Sequence, residues 1–285
     1  MKDVTNAMRA HILTAAVPYI KQYTDQYVVV KYGGNAMIDE ELKKSVMKDL
    51  MLLQLVGVKV VLVHGGGPAI NNTLDAMKIE SRFANGLRVT DEATMDVVQM
   101  VLAGKVNKGL VADLTDLGGK AVGLCGVDGN MIQVHKQNDE LGYVGSIDTI
   151  DTSIIDDVIS RGYIPVISSI GMGADGKTYN INADTVAAKI AGALKAETMV
   201  AMTNIDGVLR DVHDPSSLIS KITMAEAEQL KADGIIAGGM IPKVDCCLEA
   251  IKSGAQKVFI INGEIPHAIL IELLTDEGLG TMFIK

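Results

Sequence analysis

Two stretches decide how this chain is read: Tyr27-Val28-Val29-Val30-Lys31-Tyr32-Gly33-Gly34 and Val58-Lys59-Val60-Val61-Leu62-Val63-His64-Gly65-Gly66-Gly67-Pro68. Each is a short β-branched run, apolar on consecutive rather than alternate residues, that ends in glycines. A strand covered on both faces is apolar throughout, so the pair predicts strands of a buried parallel sheet. Runs of the same kind occupy 120–125, 163–169, 198–203 and 257–261. Helical patterns are predicted over 39–55, 68–77, 91–117, 152–160, 183–195, 224–233, 242–253 and 266–274. Strand and helix alternate, which implies right-handed βαβ units and an open α/β sheet with helices on both faces.

The 285 residues are 48% hydrophobic and 21% charged, enough for one large domain or two lobes with a proper core. A formal net charge of -9 argues against a general nucleic-acid binder, which needs a basic footprint. An anionic substrate must then be met by a few well-placed lysines and arginines. Cys125, Cys246 and Cys247 form no CxxC and no even-numbered framework, so free thiols in a reducing compartment are expected. The start Met1-Lys2-Asp3 lacks signal-peptide character, no 18-residue apolar run occurs, and the histidines show no zinc spacing. These features predict a soluble cytoplasmic chain with neither a membrane segment nor a protein-held metal. Ahead of the first strand, Val4, Met8, Ile12, Ala15, Tyr19 and Tyr23 form one apolar helical stripe that Pro18 should kink or split. Such a helix covers its own core, packs on another subunit, or frays.

Ligands of open parallel sheets sit at the carboxyl ends of the strands. There, Gly33, Gly34, Gly66 and Gly67 would let backbone N–H groups converge on an anion, helped by the helix that Pro68 opens. Lys31 ends an otherwise uncharged strand and would aim its ammonium at the same crevice. Tight turns and a snorkelling lysine are the plainer reading. Asn182 suits an N-cap and Asp184 a first helical turn, whereas Asn180 stands at a strand end without such an excuse. Asn204-Ile205-Asp206-Gly207-Val208 closes another strand with a turn suited to a nucleotide. Lys243, in the first turn of a helix after Gly238 and Gly239, opposes the helix dipole, which a bound anion would explain. Arg88, before a helix capped by Thr90 or Asp91, offers a fork for a small acid's carboxylate, though a surface ion pair fits the spacing as well.

One motif needs discounting. Gly171-Met172-Gly173-Ala174-Asp175-Gly176-Lys177-Thr178 matches the P-loop pattern, and its first six residues match GxGxxG, which suggests a P-loop or dinucleotide-binding regulator. No helix signal follows at once, however, and Asp175-Gly176 is a hairpin-turn dipeptide. A β-turn is expected.

Taken together, VVVKYGGNAM, VHGGGPAI, NGLRVTD, YNINADTVAAKIA, TNIDGVLRD and GGMIPKV, in that order from about Tyr27 onward, resemble the amino acid kinase family. The resemblance implies an open, mostly parallel αβα sandwich with an extra N-terminal helix. It divides the chain into a helix at 1–26, an acid-substrate lobe at 27–194 and a nucleotide-binding lobe at 195–285. HGGGPAI with NGLRVTD is similar to the branch that phosphorylates the γ-carboxylate of N-acetyl-L-glutamate with MgATP, in arginine biosynthesis. A kinase of an aminoadipate derivative in lysine biosynthesis, one methylene longer, is the near alternative. The resemblance assigns the transferred phosphoryl group to Lys31 and Lys243, oriented by Asp184. It assigns the acid to Gly66, Gly67, Arg88 and Asn180, and phosphate or ATP to Gly33, Gly34, Thr203, Asp206, Gly207, Leu209, Gly239 and Met240. Mg²⁺ arrives with ATP. Members with such an N-terminal helix resemble arginine-inhibited hexamers, trimers of dimers, and Tyr19, His267, Glu272, Gly278 and Gly280 are the implied effector residues.

Overall fold

The computed structural model describes residues 5–84 and 86–285, so Val4 of the apolar stripe and Asn85 of NGLRVTD lie outside the described residues. The chain opens with α1 (Asn6–Ala15) and α2 (Val17–Tyr23), split where Pro18 enters the first turn of α2. Only α2 joins the core, through Tyr23, while α1 buries nothing and leaves Met8, Ile12 and Leu13 exposed. There follow β1 (Tyr27–Tyr32), α3 (Glu40–Leu55) capped by Asp39, β2 (Lys59–His64) and α4 (Gly67–Met77). A hairpin of β3 (Arg82–Ala84) and β4 (Leu87–Val89) leads into α5 (Glu92–Gln99). Its N-cap is Asp91, whose side chain accepts the Thr94 N–H, so of the two caps expected Thr90 is not the one.

The predicted helix 91–117 is not uniform: a π-helical stretch, Met100–Val106, joins α5 to α6 (Asn107–Asp116). Next come β5 (Ala121–Cys125), β6 (Ile132–Lys136), β7 (Gly145–Ile150), α7 (Ser153–Ser160) and β8 (Ile164–Ser168). Then β9 (Ile170–Gly173), β10 (Thr178–Asn180), α8 (Ala183–Ala193) and β11 (Thr198–Thr203) complete the first two-thirds. The remainder is β12 (Lys221–Thr223), α9 (Met224–Ala232), α10 (Met240–Ser253), β13 (Lys257–Asn262), α11 (Ala268–Leu274) and β14 (Thr281–Ile284). Helix α11 starts two residues after the predicted Pro266, because His267 takes a left-handed conformation with φ 60°.

Eight strands form one sheet in the order β12-β14-β13-β11-β1-β2-β8-β5, parallel except for the β13–β14 pair. Alternate residues of β1 serve opposite layers. Val28 and Val30 pack with Leu50, Leu114 and Ile269 of α3, α6 and α11, and Val29 packs with Ala187 and Leu248 of α8 and α10. This is the expected αβα sandwich on a mostly parallel sheet, with two N-terminal helices added. Strand β1 lies between β2, which follows it in sequence, and β11, which the chain reaches much later, so the strand order reverses there and opens a crevice. A small sheet, β10-β9-β6-β7, and the β3–β4 hairpin stand apart from it; the turn expected at Asp175-Gly176 joins β9 to β10, whereas β6, β7 and the β3–β4 hairpin were not apparent in the sequence pattern.

Candidate active site

Strands β1 and β2 run in register from Tyr27 opposite Lys59 to Tyr32 opposite His64, so their glycine tails leave the sheet side by side. The Gly65 N–H still donates to the Tyr32 carbonyl at 3.1 Å, after which the chains separate. Gly34, at φ +70°, turns into a single 3₁₀ turn, and Gly67 begins α4 with Pro68 beside it. Lys31 projects past its own strand end; a Cβ on Gly33 would sit 3.5 Å from its Nζ.

Across the crevice, Asn182 caps α8 by accepting the Asp184 N–H at 2.8 Å, which places the Asp184 carboxylate in the first turn. There it meets Lys31: Nζ to Oδ1 is 2.9 Å, with the two side chains 11% and 22% exposed. This ion pair, Gly33, Gly34, Gly66, Gly67, Arg88 and Asn180 all line one cavity of about 300 Å³. Phe83, Leu102, Val144 and Ser169 also line the wall and were missed in the sequence, since nothing local distinguishes them from core or loop residues.

Arg88 on β4 is 7% exposed. It donates to Ser81 and to the Asn71 Oδ1 at 2.6 Å, and its guanidinium stacks 4.7 Å from the Phe83 ring centre. Burial depresses its pKa, and no carboxylate lies within ion-pair distance among the described residues. A buried guanidinium held, among the described residues, by neutral acceptors and a ring is poised for an anion supplied from outside. Asn180 projects into the same cavity, its Nδ2 donating to the Thr90 hydroxyl at 3.3 Å.

A second cavity, about 350 Å³, is lined by Asn204–Leu209, Val212, Ile235, Ala237, Met240 and Asn262. It gathers the predicted Asp206, Gly207, Leu209 and Met240 but neither Thr203 nor Gly239. The Thr203 hydroxyl instead closes the turn by accepting the Ile205 N–H at 3.2 Å. Gly207 also answers to packing, since a Cβ there would strike Thr281 Oγ1 at 2.5 Å. Asn262, unforeseen, donates to Asp206 at 2.8 Å. Lys243 falls in the first turn of α10, half-buried, on the wall of neither cavity. One turn on, Cys246 lies close enough to the Lys31–Asp184 pair that Asp184 helps burial push its thiol up to about 11. The start of α10 therefore flanks that pair.

The implied effector residues only partly assemble. The Tyr19 hydroxyl donates to Asp276, and Glu272 accepts the Leu279 and Gly280 N–H groups at 2.6 and 3.1 Å beside Gly278. His267 stands at the other end of α11, its Nδ1 2.6 Å from Asp49 of α3. The P-loop match is not a phosphate loop: Gly173 to Lys177 is a turn between antiparallel β9 and β10, and no helix follows it directly. Lys177 Nζ donates to the Tyr143 hydroxyl at 3.1 Å. Among the described residues, no group of three or more His, Cys, Asp or Glu side chains is arranged to hold a metal ion, and no helix is long and apolar enough to cross a membrane.

Residues 26–262 match the family described as "Amino acid kinase family". An acetylglutamate kinase of Brachyspira hyodysenteriae is 52% identical over 287 residues, covering 100% of both chains. One from Clostridium kluyveri is 54% identical over 275 residues, 96% of this chain and 97% of that one. Among solved structures, an N-acetylglutamate synthase from Neisseria gonorrhoeae complexed with coenzyme A and N-acetyl-glutamate superposes with a TM-score of 0.84 at 27% identity. That match covers 97% of this chain and 63% of the synthase.

Proposed function

The chain belongs to the amino acid kinase family, in the branch of the acetylglutamate kinases, and on that premise we propose how it moves a phosphoryl group from MgATP to the γ-carboxylate of N-acetyl-L-glutamate. The observation that carries the reading is that one cavity holds both a paired lysine at a glycine-lined strand end and a buried arginine with no carboxylate partner among the described residues. Arg88 and Asn180 hold the acid's α-carboxylate. Its γ-carboxylate then lies towards Lys31 and the glycines, and the nucleotide enters from the second cavity.

A γ-carboxylate with a pKa of about 4.3 is ionised at neutral pH, so it attacks without a general base. One of its oxygens bonds to the γ-phosphorus as the bond to the β,γ-bridging oxygen breaks, and that electron pair leaves on ADP. Such a transfer asks for alignment and charge stabilisation more than for covalent chemistry. Lys31, Lys243 and the N–H groups of Gly33, Gly34, Gly66 and Gly67, the last two where acid and phosphoryl group meet, face the charge on the moving phosphoryl group, while Asp184 keeps Lys31 aimed. The nucleotide would bring its own Mg²⁺, which would supply further positive charge there.

The same reading assigns residues 27–194 to the acid, because the first cavity draws only on residues from Lys31 to Asp184. It assigns 195–285 to the nucleotide, because the second draws only on Asn204 to Asn262. It takes the enzyme to be cytoplasmic, where its nucleotide is made. It also makes the enzyme an arginine-inhibited hexamer. Helix α1, with an exposed apolar face and no core of its own, joins dimers, and arginine binds between α2 and the 272–280 segment. The test is ADP release with N-acetyl-L-glutamate and with its aminoadipate homologue, each repeated with arginine. Faster turnover of the homologue contradicts the acid assignment, and unaltered rates with arginine contradict the regulation.

A further inference from the structure

Behind the glycine loop lies a buried polar pair that the reaction as described does not use. His64, the last residue of β2, and Asn107, the first residue of α6, are 0% and 1% exposed. Asn107 Nδ2 lies 3.0 Å from His64 Nε2, 2.8 Å from the Val166 carbonyl and 3.3 Å from that of Leu124. Its Oδ1 accepts from Lys108 Nζ at 3.0 Å. Two main-chain acceptors on one side and an ammonium on the other fix which end of the amide is NH₂. Nε2 of His64 must then accept, which puts the ring's proton on Nδ1, 2.8 Å from the Gly65 carbonyl. The neighbourhood is built around this amide: a side chain on Gly123 would overlap Asn107 Oδ1. Burial pushes the His64 pKa down to about 4, so the ring stays neutral and its tautomer defined at working pH.

The peptide unit between Gly65 and Gly66 is trans, so its C=O and N–H point in opposite directions. Anchoring the Gly65 carbonyl on His64 turns the Gly66 N–H the other way, towards the cavity that Gly65, Gly66 and Gly67 line. From the front, Leu102 of the π-helical stretch presses on the same loop; a Cβ on Gly66 would come within 2.7 Å of it. We propose that His64, held in one tautomer by Asn107, is a positioning residue that aims the Gly66 amide at the transferred phosphoryl group. This rests on the phosphoryl-transfer reading above. The same geometry accounts for the π-helix: its wide turn delivers Leu102 to the loop and Asn107 to the histidine from one continuous element.

The experiment compares His64→Phe, which removes both hydrogen bonds, with His64→Asn, whose amide can occupy the place of Nδ1 and donate to Gly65. Losing one aimed amide donor should lower kcat about a hundredfold in His64→Phe, with KM for ATP unchanged, and His64→Asn should recover most of it. In the wild type, ¹⁵N NMR of labelled histidine should show Nδ1 protonated and Nε2 bare. If His64→Phe does not fold, Asn107→Leu, which frees the tautomer and keeps the ring, should show the same kcat loss. A folded His64→Phe with full kcat, an Asn variant no better than Phe, or a bare Nδ1 overturns the proposal. Should the wild type fail to phosphorylate the acid, the function assigned above falls. The Gly66 amide resonance then decides the positioning role: it should shift in His64→Phe and return in His64→Asn, and an unmoved resonance overturns it.

Discussion

Replacing Arg88 with Met separates binding from folding, because the structure predicts opposite signs for the two. In the free enzyme the guanidinium is desolvated, hydrogen-bonded to Ser81 and Asn71, and stacked on Phe83, without a carboxylate partner among the described residues. Burial already works against its charged form. Met keeps most of the stem's packing and removes the uncompensated charge, so the free variant should unfold no earlier than wild type. With the acid bound, the guanidinium gains its counter-ion. Truncating one partner of a buried charge pair costs roughly 2–5 kcal/mol, and about 3 kcal/mol corresponds to about 150-fold in affinity. Initial rates of ADP release, with acid varied at saturating MgATP and then the reverse, should show the whole loss in the acid's KM. Thermal unfolding should show acid-induced stabilisation in wild type and none in the variant. An acid KM unchanged in Arg88→Met, or an ATP KM that rises in step, would refute the assignment.

Lys31→Ala and Lys243→Ala should each lower kcat by about two orders of magnitude or more while the fold, followed by circular dichroism, survives; wild-type turnover in either would remove that lysine from the mechanism. Gly66→Ala forces a methyl within 2.7 Å of Leu102 and should cost about 1–3 kcal/mol of stability together with activity. Combining it with Leu102→Ala should restore stability, a non-additivity that a double-mutant cycle reads directly. Below pH 6.5 the unfolded chain protonates His64 before the folded one does, so that histidine contributes stability that is present above pH 6.5 and lost as pH falls towards 4. The contribution is about 3 kcal/mol, and the acid side of the urea-unfolding profile should be shallower in His64→Asn. Deleting residues 1–25 should leave turnover intact, weaken arginine inhibition and reduce a hexamer to dimers by light scattering.

The sequence already held the crevice but not what surrounds it. Buried parallel strands announce themselves by unbroken apolar runs, and glycines at the ends of β1 and β2 mark where the backbone must be bare. Asn182 and Asp184 were legible because capping is local, although the ion pair with Lys31 spans 153 positions and rests on the fold. Of the small sheet only the Asp175-Gly176 turn between β9 and β10 was legible; β6 and β7 escaped notice because they are half exposed, with His135, Lys136 and Asp148 breaking the apolar pattern. The π-helical stretch has no compositional mark, since Met100–Val106 continues the helical periodicity on either side. Arg88 was visible as a fork for an acid, but what holds it in place was not: Ser81 comes beside it through the β3–β4 pairing, and Asn71 reaches it from α4. Likewise His64 read as one of several scattered histidines, because its partner lies 43 residues away on another element.

In the proposed mechanism Lys31 and Lys243, from the two halves of the chain, close on one moving phosphoryl group over the amides of the glycine loops. A crystal structure with ADP, Mg²⁺, N-acetyl-L-glutamate and a planar metal fluoride tests it most directly. Both ammonium groups should lie about 3 Å from fluoride ligands, with Arg88 on the acid's α-carboxylate. Either lysine turned away from the fluoride in a closed complex would contradict the account.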